Sequence, residues 1–265
     1  MKIFVSTNWV FNNLKNKKLI ILDCTWYLPN IKKNPLKEYN LRHIKNAQFF
    51  NIDEILNKKI KLPHMAPTSS VFEKKMRSFG INNDSIIVVY DSLGLFSSAR
   101  VWWLFKYFGH NETYVMNGGL KKWLYEKKIT TKKNIKFKKG NFKVSINRSL
   151  ITNYKNILKK LNNKNIIILD ARNEKRFKGL INEPRKGLRL GHIPYSKNLF
   201  WKKLINKNGS IQSKNCLKKV FNRYKIGLNK EVITTCGSGI TACILSLALL
   251  HSKNIDSKVL VTLYI

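Results

Sequence analysis

Val232-Ile233-Thr234-Thr235-Cys236-Gly237-Ser238-Gly239-Ile240-Thr241-Ala242 runs from a β-branched apolar series, through a cysteine and two glycines, into an apolar helical pattern that lasts to Leu250. The spacing predicts a strand, a tight loop and a helix. A cysteine at that junction faces the unpaired N–H groups of the first helical turn, and those groups together with the helix dipole stabilise a thiolate. Cys236 is therefore the candidate nucleophile. A small buried cysteine in a glycine turn is the competing reading, and other residues must decide between them.

Upstream, Ile166-Ile167-Ile168-Leu169-Asp170 is an unbroken apolar run of the kind that makes a strand buried on both faces. Leu19 to Asp23 and Ile86 to Asp91 are runs of the same sort, and Tyr114-Val115-Met116 is a shorter one. Helical patterns fall between them at Trp9 to Leu14, at Val71 to Phe79 with Gly80 as the stop, at Val101 to Phe105, and after Gly118-Gly119. Strands alternating with helices predict an α/β fold with mostly parallel sheets flanked by helices.

The series occurs twice. Asp170 echoes Asp23, His192 echoes His43 and Cys236 echoes Asp91, at offsets of 147, 149 and 145 residues. We expect two tandem domains: residues 1–130 without a catalytic cysteine, a lysine-rich linker at 131–145, and a catalytic domain at 146–265. Asp91 stands where the second copy has its thiol, so only the second copy can do thiolate chemistry. The same spacing sets Val261-Thr262-Leu263-Tyr264 against the Tyr114 strand. The second domain is then expected to be short at its C-terminus, without the helix that follows Gly118-Gly119 in the first.

A 265-residue chain with 43% hydrophobic content can bury a sizeable core. Its net charge of +37, from 51 basic and 14 acidic residues, raises the question of a nucleic-acid partner. The lysines, however, are spread over the whole length beside abundant Asn and Ile, the residues that A/T-rich codons favour. They are read as solvated faces, with no specific nucleic-acid partner expected. Cys24, Cys216, Cys236 and Cys243 form no CxxC pair or Cys/His cluster, so neither a zinc site nor a disulfide framework is indicated. The N-terminus lacks the apolar core of a signal peptide, and no apolar run approaches the roughly 20 residues that span a bilayer. A cytoplasmic protein without membrane contact is the expectation.

Several motifs, in order and with their spacing kept, carry a resemblance. They are Leu22-Asp23-Cys24-Thr25-Trp26-Tyr27-Leu28-Pro29, Gly94-Leu95-Phe96-Ser97 with Arg100-Val101-Trp102-Trp103, Phe108-Gly109-His110, Asp170-Ala171-Arg172, Arg176-Phe177, Glu183-Pro184-Arg185, Gly191-His192-Ile193-Pro194 and the Cys236 loop. Over nearly its full length the chain resembles the tandem rhodanese-domain sulfurtransferases. The resemblance implies an enzyme without metal or cofactor that moves sulfur from 3-mercaptopyruvate or thiosulfate, through a persulfide on Cys236, to cyanide or to a thiol acceptor such as thioredoxin or a small thiol. The thiolate attack is nucleophilic covalent catalysis, and N–H groups from Gly237 through Gly239, Ile240 and Thr241 would cradle the sulfur.

Arg176 and Arg185 match the family's substrate-binding arginines, a residue type suited to holding a carboxylate at two points. An ion pair with Glu183 is the competing role for either, and the surrounding motif makes it the lesser one. Relatives that prefer thiosulfate carry basic residues after the cysteine, where this chain has Gly237 and Ser238, so 3-mercaptopyruvate is the expected donor. The resemblance further implies that Ser238 works with Asp53 and His64 of the first domain. Cys243, Cys24, Cys216, Trp102, Trp103, His43 and His192 are assigned to structure. A rhodanese-like cysteine phosphatase would need an arginine in the loop, and none is present. An eroded, inactive homologue is the remaining alternative.

Overall fold

The computed structural model describes residues 2–60, 62–184 and 188–261. The first half contains β1 (Phe4–Val5), α1 (Thr7–Asn12), β2 (Leu19–Asp23), α2 (Pro35–Leu41), β3 (His43–Ile44), β4 (Ala47–Phe49), α3 (Ser69–Ser78), β5 (Ile86–Tyr90), α4 (Ser98–Tyr107), β6 (Thr113–Met116), α5 (Gly119–Tyr125) and β7 (Thr130–Thr131). The second contains β8 (Ile151–Thr152), α6 (Tyr154–Leu158), β9 (Ile166–Asp170), α7 (Glu174–Phe177), β10 (Lys197–Asn198), α8 (Lys214–Asn222), β11 (Glu231–Thr235), α9 (Ala242–Lys253) and β12 (Lys258–Leu260).

Each half builds one five-stranded, wholly parallel sheet, ordered β1-β6-β5-β2-β4 and β8-β12-β11-β9-β10. The two orders are the same order, which is the duplication seen in three dimensions. The central strands are the unbroken apolar runs, and every residue of β2 is buried. Helix starts follow side-chain capping: Thr68 accepts from Val71 N at the start of α3, and Ser213 accepts from Cys216 N at the start of α8.

One strand differs from expectation. The partner of β11 is Lys258–Leu260, with Val259 beside Thr234, and not the stretch beginning at Val261. Asp91 lies seven residues before α4, whereas Cys236 lies six before α9, so the offset between the copies shrinks across that loop. Thr262 to Tyr264, and the expected loss of a helix beyond them, lie outside the described residues. The segment expected to be a linker also has more structure than its composition suggested. Residues 132–147 form no helix or strand, yet Phe142 is buried against Phe72 and Phe105, and Ser145 N and Asn147 N donate to the carbonyls of Phe108 and Tyr107. Two isolated aromatic anchors, Phe142 and the half-buried Phe137, and backbone hydrogen bonds leave no periodicity for a sequence reading to detect.

The halves meet through α4 and α9, and one contiguous apolar core runs across the junction. The loop after Asp91 abuts the loop at Gly209. A Cβ on Gly94, whose φ is +105°, would lie 2.5 Å from Gly209 Cα, so backbone touches backbone there and glycine is required. Asn117 Oδ1 accepts from Ile211 N at 2.9 Å, and Phe96 packs on Trp201.

Candidate active site

The C-terminal ends of β9 and β11 open onto a cavity of about 200 Å³ between the two halves. Cys236, Gly237, Ser238, Ile240 and Thr241 form its floor. Trp26, Leu28 and Phe96 from the first half and Phe200 and Trp201 from the second form apolar walls. Cys236 is only 5% exposed and is one of the residues that line this cavity.

The N–H that reaches the sulfur is that of Gly239, at 3.1 Å. Among the described residues the other expected cradle positions, Gly237, Ile240 and Thr241, make no such bond to Cys236; each of the three lines the cavity. The reason lies in the loop, where Gly239 adopts φ +79° and turns its peptide back toward the cysteine, while the first helical turn closes on itself through Cys243 N to Ile240 O. The first half shows the fuller form of the same cradle. There Asp91 Oδ2 accepts from Phe96 N, Ser97 N, Ser98 N and Ser98 Oγ at 2.6 to 3.0 Å, and Oδ1 accepts from Leu93 N. An internal carboxylate fills the anion site that in the second half is left to a sulfur.

Arg176 stands beside the loop: a Cβ on Gly237 would lie 3.0 Å from its Nη2, so a glycine there permits the close approach. Its Nε and Nη2 donate to Glu183, the ion pair given as the lesser role of this arginine. Among the described residues its Nη1 makes no hydrogen bond. Arg185 lies outside the described residues.

Glu183 also accepts from Arg172 Nη1 at 2.8 Å, and Arg172 in turn grips the fully buried Asp170 through Nε and Nη2. Burial alone would raise the Glu183 pKa, but Arg176 and Arg172 together hold it below the ordinary value. Burial likewise works against the charge on Arg172, and its bonds to Asp170 and Glu183 reverse that and raise its pKa. Of this four-membered network the sequence analysis named only the Arg176–Glu183 pair; its extension through Arg172 to Asp170 was hinted at by the Asp170-Ala171-Arg172 motif alone.

Asp53 and His64 come together as expected, with Nε2 of His64 at 2.9 Å from Oδ1 and Trp26 Nε1 donating to Oδ2 at 2.9 Å. They line a neighbouring cavity that shares Trp26 with the Cys236 cavity, in which Ser238 lies. Cys243 and Cys24 are fully buried, and burial pushes the Cys243 thiol up to about 12. Cys216 does not pack as expected: it is exposed on α8, whose buried positions are Leu217 and Phe221. His43 is buried against Tyr39, and His192 stacks on Phe177 and donates from Nδ1 to the Phe177 carbonyl, both turn roles. Among the described residues there is no His, Cys, Asp or Glu cluster able to hold a metal ion, and no helix is long and apolar enough to cross a membrane.

Residues 6–126 and 153–262 each match the rhodanese-like domain family. Thiosulfate/3-mercaptopyruvate sulfurtransferase 1, mitochondrial, of Arabidopsis thaliana is 35% identical over 92% of this chain and 70% of its own length. Thiosulfate sulfurtransferase of Bos taurus is 36% identical over 93% of this chain and 85% of its own, and 3-mercaptopyruvate sulfurtransferase of Mus musculus is 34% identical over 91% and 84%. The crystal structure of SseA from Escherichia coli, a 3-mercaptopyruvate sulfotransferase, superposes with a TM-score of 0.91 at 28% identity, covering all of both chains. With its repeated parallel sheets and its cysteine loop facing the junction of the halves, the chain belongs to the tandem rhodanese-domain sulfurtransferase family.

Proposed function

We propose that Cys236 takes the sulfur of 3-mercaptopyruvate and passes it to a thiol, thioredoxin or a small thiol, or to cyanide. The observation that carries this reading is Cys236 on the floor of a small cavity between the halves, with the Gly239 N–H on its sulfur and Arg176 alongside. The donor's carboxylate meets Arg176 Nη1, while the apolar walls exclude water from the reacting atoms. The Cys236 thiolate attacks the donor sulfur, forming an S–S bond as the C–S bond breaks. The electron pair of that bond goes to the methylene carbon, which takes up the proton from the former donor thiol, so that pyruvate leaves and Cys236 holds a persulfide anion. An acceptor thiolate then attacks the outer sulfur and restores the Cys236 thiolate. Ser238, with the Asp53–His64 pair behind Trp26, relays the proton. The four unpaired thiols suit a reducing compartment such as the cytosol.

Thiosulfate is the second reading, favoured by Lys202, which lines the cavity and offers a cation to a sulfonate. Incubation with each donor, followed by mass spectrometry of the intact protein, separates the two. One added sulfur atom from 3-mercaptopyruvate, absent in Cys236→Ser, is expected; gain from thiosulfate alone selects the second reading, and no gain from either sinks both.

A further inference from the structure

Arg100 lies in the first turn of α4, in the half that has no catalytic cysteine, and is 1% exposed. Its side chain crosses the junction. Nη2 donates to the His64 carbonyl at 2.7 Å, Nη1 approaches Cys243 Sγ at 3.9 Å, and Cζ stacks over the Trp103 ring at 4.6 Å. Nη1 lies 3.3 Å from the place a Cβ on Gly239 would take. Gly239 is the residue whose N–H holds the Cys236 sulfur, so a single peptide separates guanidinium from sulfur, a separation of about 9 Å or less from covalent dimensions.

Among the described residues the other charges around the cavity are paired or exposed, and Asp53 on the neighbouring cavity is paired with His64. Arg172 and Arg176 face Asp170 and Glu183, two cations against two carboxylates, while Lys202 stands exposed at the rim and Cys243 is a buried neutral thiol. Arg100, by contrast, forms no ion pair among the described residues. A buried cation without an anionic partner is costly, and it lowers the energy of any negative charge that forms nearby.

We propose that Arg100 is the counter-cation of the Cys236 thiolate and persulfide, lent by the first domain through the Gly239 peptide. It is a positioning residue, since it does not touch the sulfur. The proposal rests on Cys236 being the nucleophile. It gives the cysteine-free domain an electrostatic part in the chemistry beyond walling the cavity.

The test is the pH dependence of iodoacetamide alkylation at Cys236, read on the Cys236 peptide by mass spectrometry so that exposed Cys216 does not confuse it. Coulomb attraction at this distance and an effective dielectric constant of about 20 corresponds to about one pH unit. The midpoint will rise by about that much in Arg100→Met and Arg100→Gln. Both remove a charge without orphaning a carboxylate, and glutamine keeps a donor for the His64 carbonyl. Arg100→Lys, whose charge is drawn back from Gly239, will fall between them and the parent. Unmoved midpoints in the neutral variants overturn the proposal, as does a lysine variant that shifts as far as they do. If neither neutral variant folds, a lysine variant whose midpoint rises by the full unit expected for loss of the charge overturns it. A parent that alkylates only above the ordinary thiol range overturns this inference together with the nucleophile. A parent with the expected profile that captures no sulfur sinks the donor reading and leaves Arg100 standing.

Discussion

Replacing Arg172 by methionine removes the centre of the buried network. Asp170, with no exposure, loses three side-chain hydrogen bonds, keeps the one from Arg172 N, and is left as a carboxylate in the protein interior. Glu183 keeps Arg176. Breaking a buried pair from one side costs about 3–5 kcal/mol, because the stranded charge has lost its partner without regaining water. For a chain of this size each kcal/mol lowers Tm by about 2–4 °C, so a fall of roughly 6–20 °C is expected. The loss carries a pH signature. In the parent, Glu183 has a folded pKa below its unfolded one, so its contribution is present above the unfolded value and is lost as pH falls through the folded value. In the variant the stranded Asp170 is easier to bury protonated, so acid relieves it. The gap between parent and variant is therefore widest at neutral pH and narrows below about pH 4.5. Urea denaturation at several pH values measures it. A gap of the same size at pH 4 and pH 7 refutes the reasoning, as does an Asp170→Asn/Arg172→Met double variant no more stable than Arg172→Met alone.

Three further outcomes are open to measurement. Gly239→Ala meets φ +79° and Arg100 Nη1 at 3.3 Å; it will cost about 1–2 kcal/mol in denaturation and slow alkylation of Cys236, whereas an unaltered alkylation profile would show that the Gly239 N–H is idle. Asp91→Asn removes the charge from a carboxylate that accepts five hydrogen bonds; it will lower stability by about 2–3 kcal/mol while leaving sulfur capture by folded protein intact, and lost capture without lost stability would contradict this. Arg176→Lys cannot hold Glu183 and a donor carboxylate at once with a planar fork, so KM for 3-mercaptopyruvate will rise about tenfold or more with little change in alkylation; an unchanged KM would remove Arg176 from donor binding.

Parallel sheets covered on both faces write themselves into a sequence as unbroken apolar runs, and for that reason β2, β5, β9 and β11 were legible almost to the residue. The short edge strands β4, β8 and β10 carry two or three residues each and left no such mark. The strand after α9 was misplaced by three residues, two because the offset of 147 at Asp170 was carried past Cys236, where it is 145, and one because the Cys236 loop is a residue shorter than its counterpart. The loop cysteine itself was legible, since strand, glycines and helix are adjacent in the chain. What was not legible arrives from elsewhere in space. Arg100 reaches the site across a helix contact, the Trp26 and Trp201 walls come from opposite halves, and the Asp170–Arg172–Glu183–Arg176 network depends on burial that local spacing cannot report.

The strand-free stretch 132–147 has a bearing on how the protein must be made. Phe142 completes an aromatic cluster with Phe72, Phe105 and His110, yet it leaves the ribosome long after they do and lies past residue 126, where the first family match ends. A nascent first half lacks that side chain until residue 142 emerges, and the aromatic cluster closes only then. A first half cut before Asn147, whose N–H is bonded to the Tyr107 carbonyl, loses that anchor, and a cut at any point exposes the apolar core the two halves share.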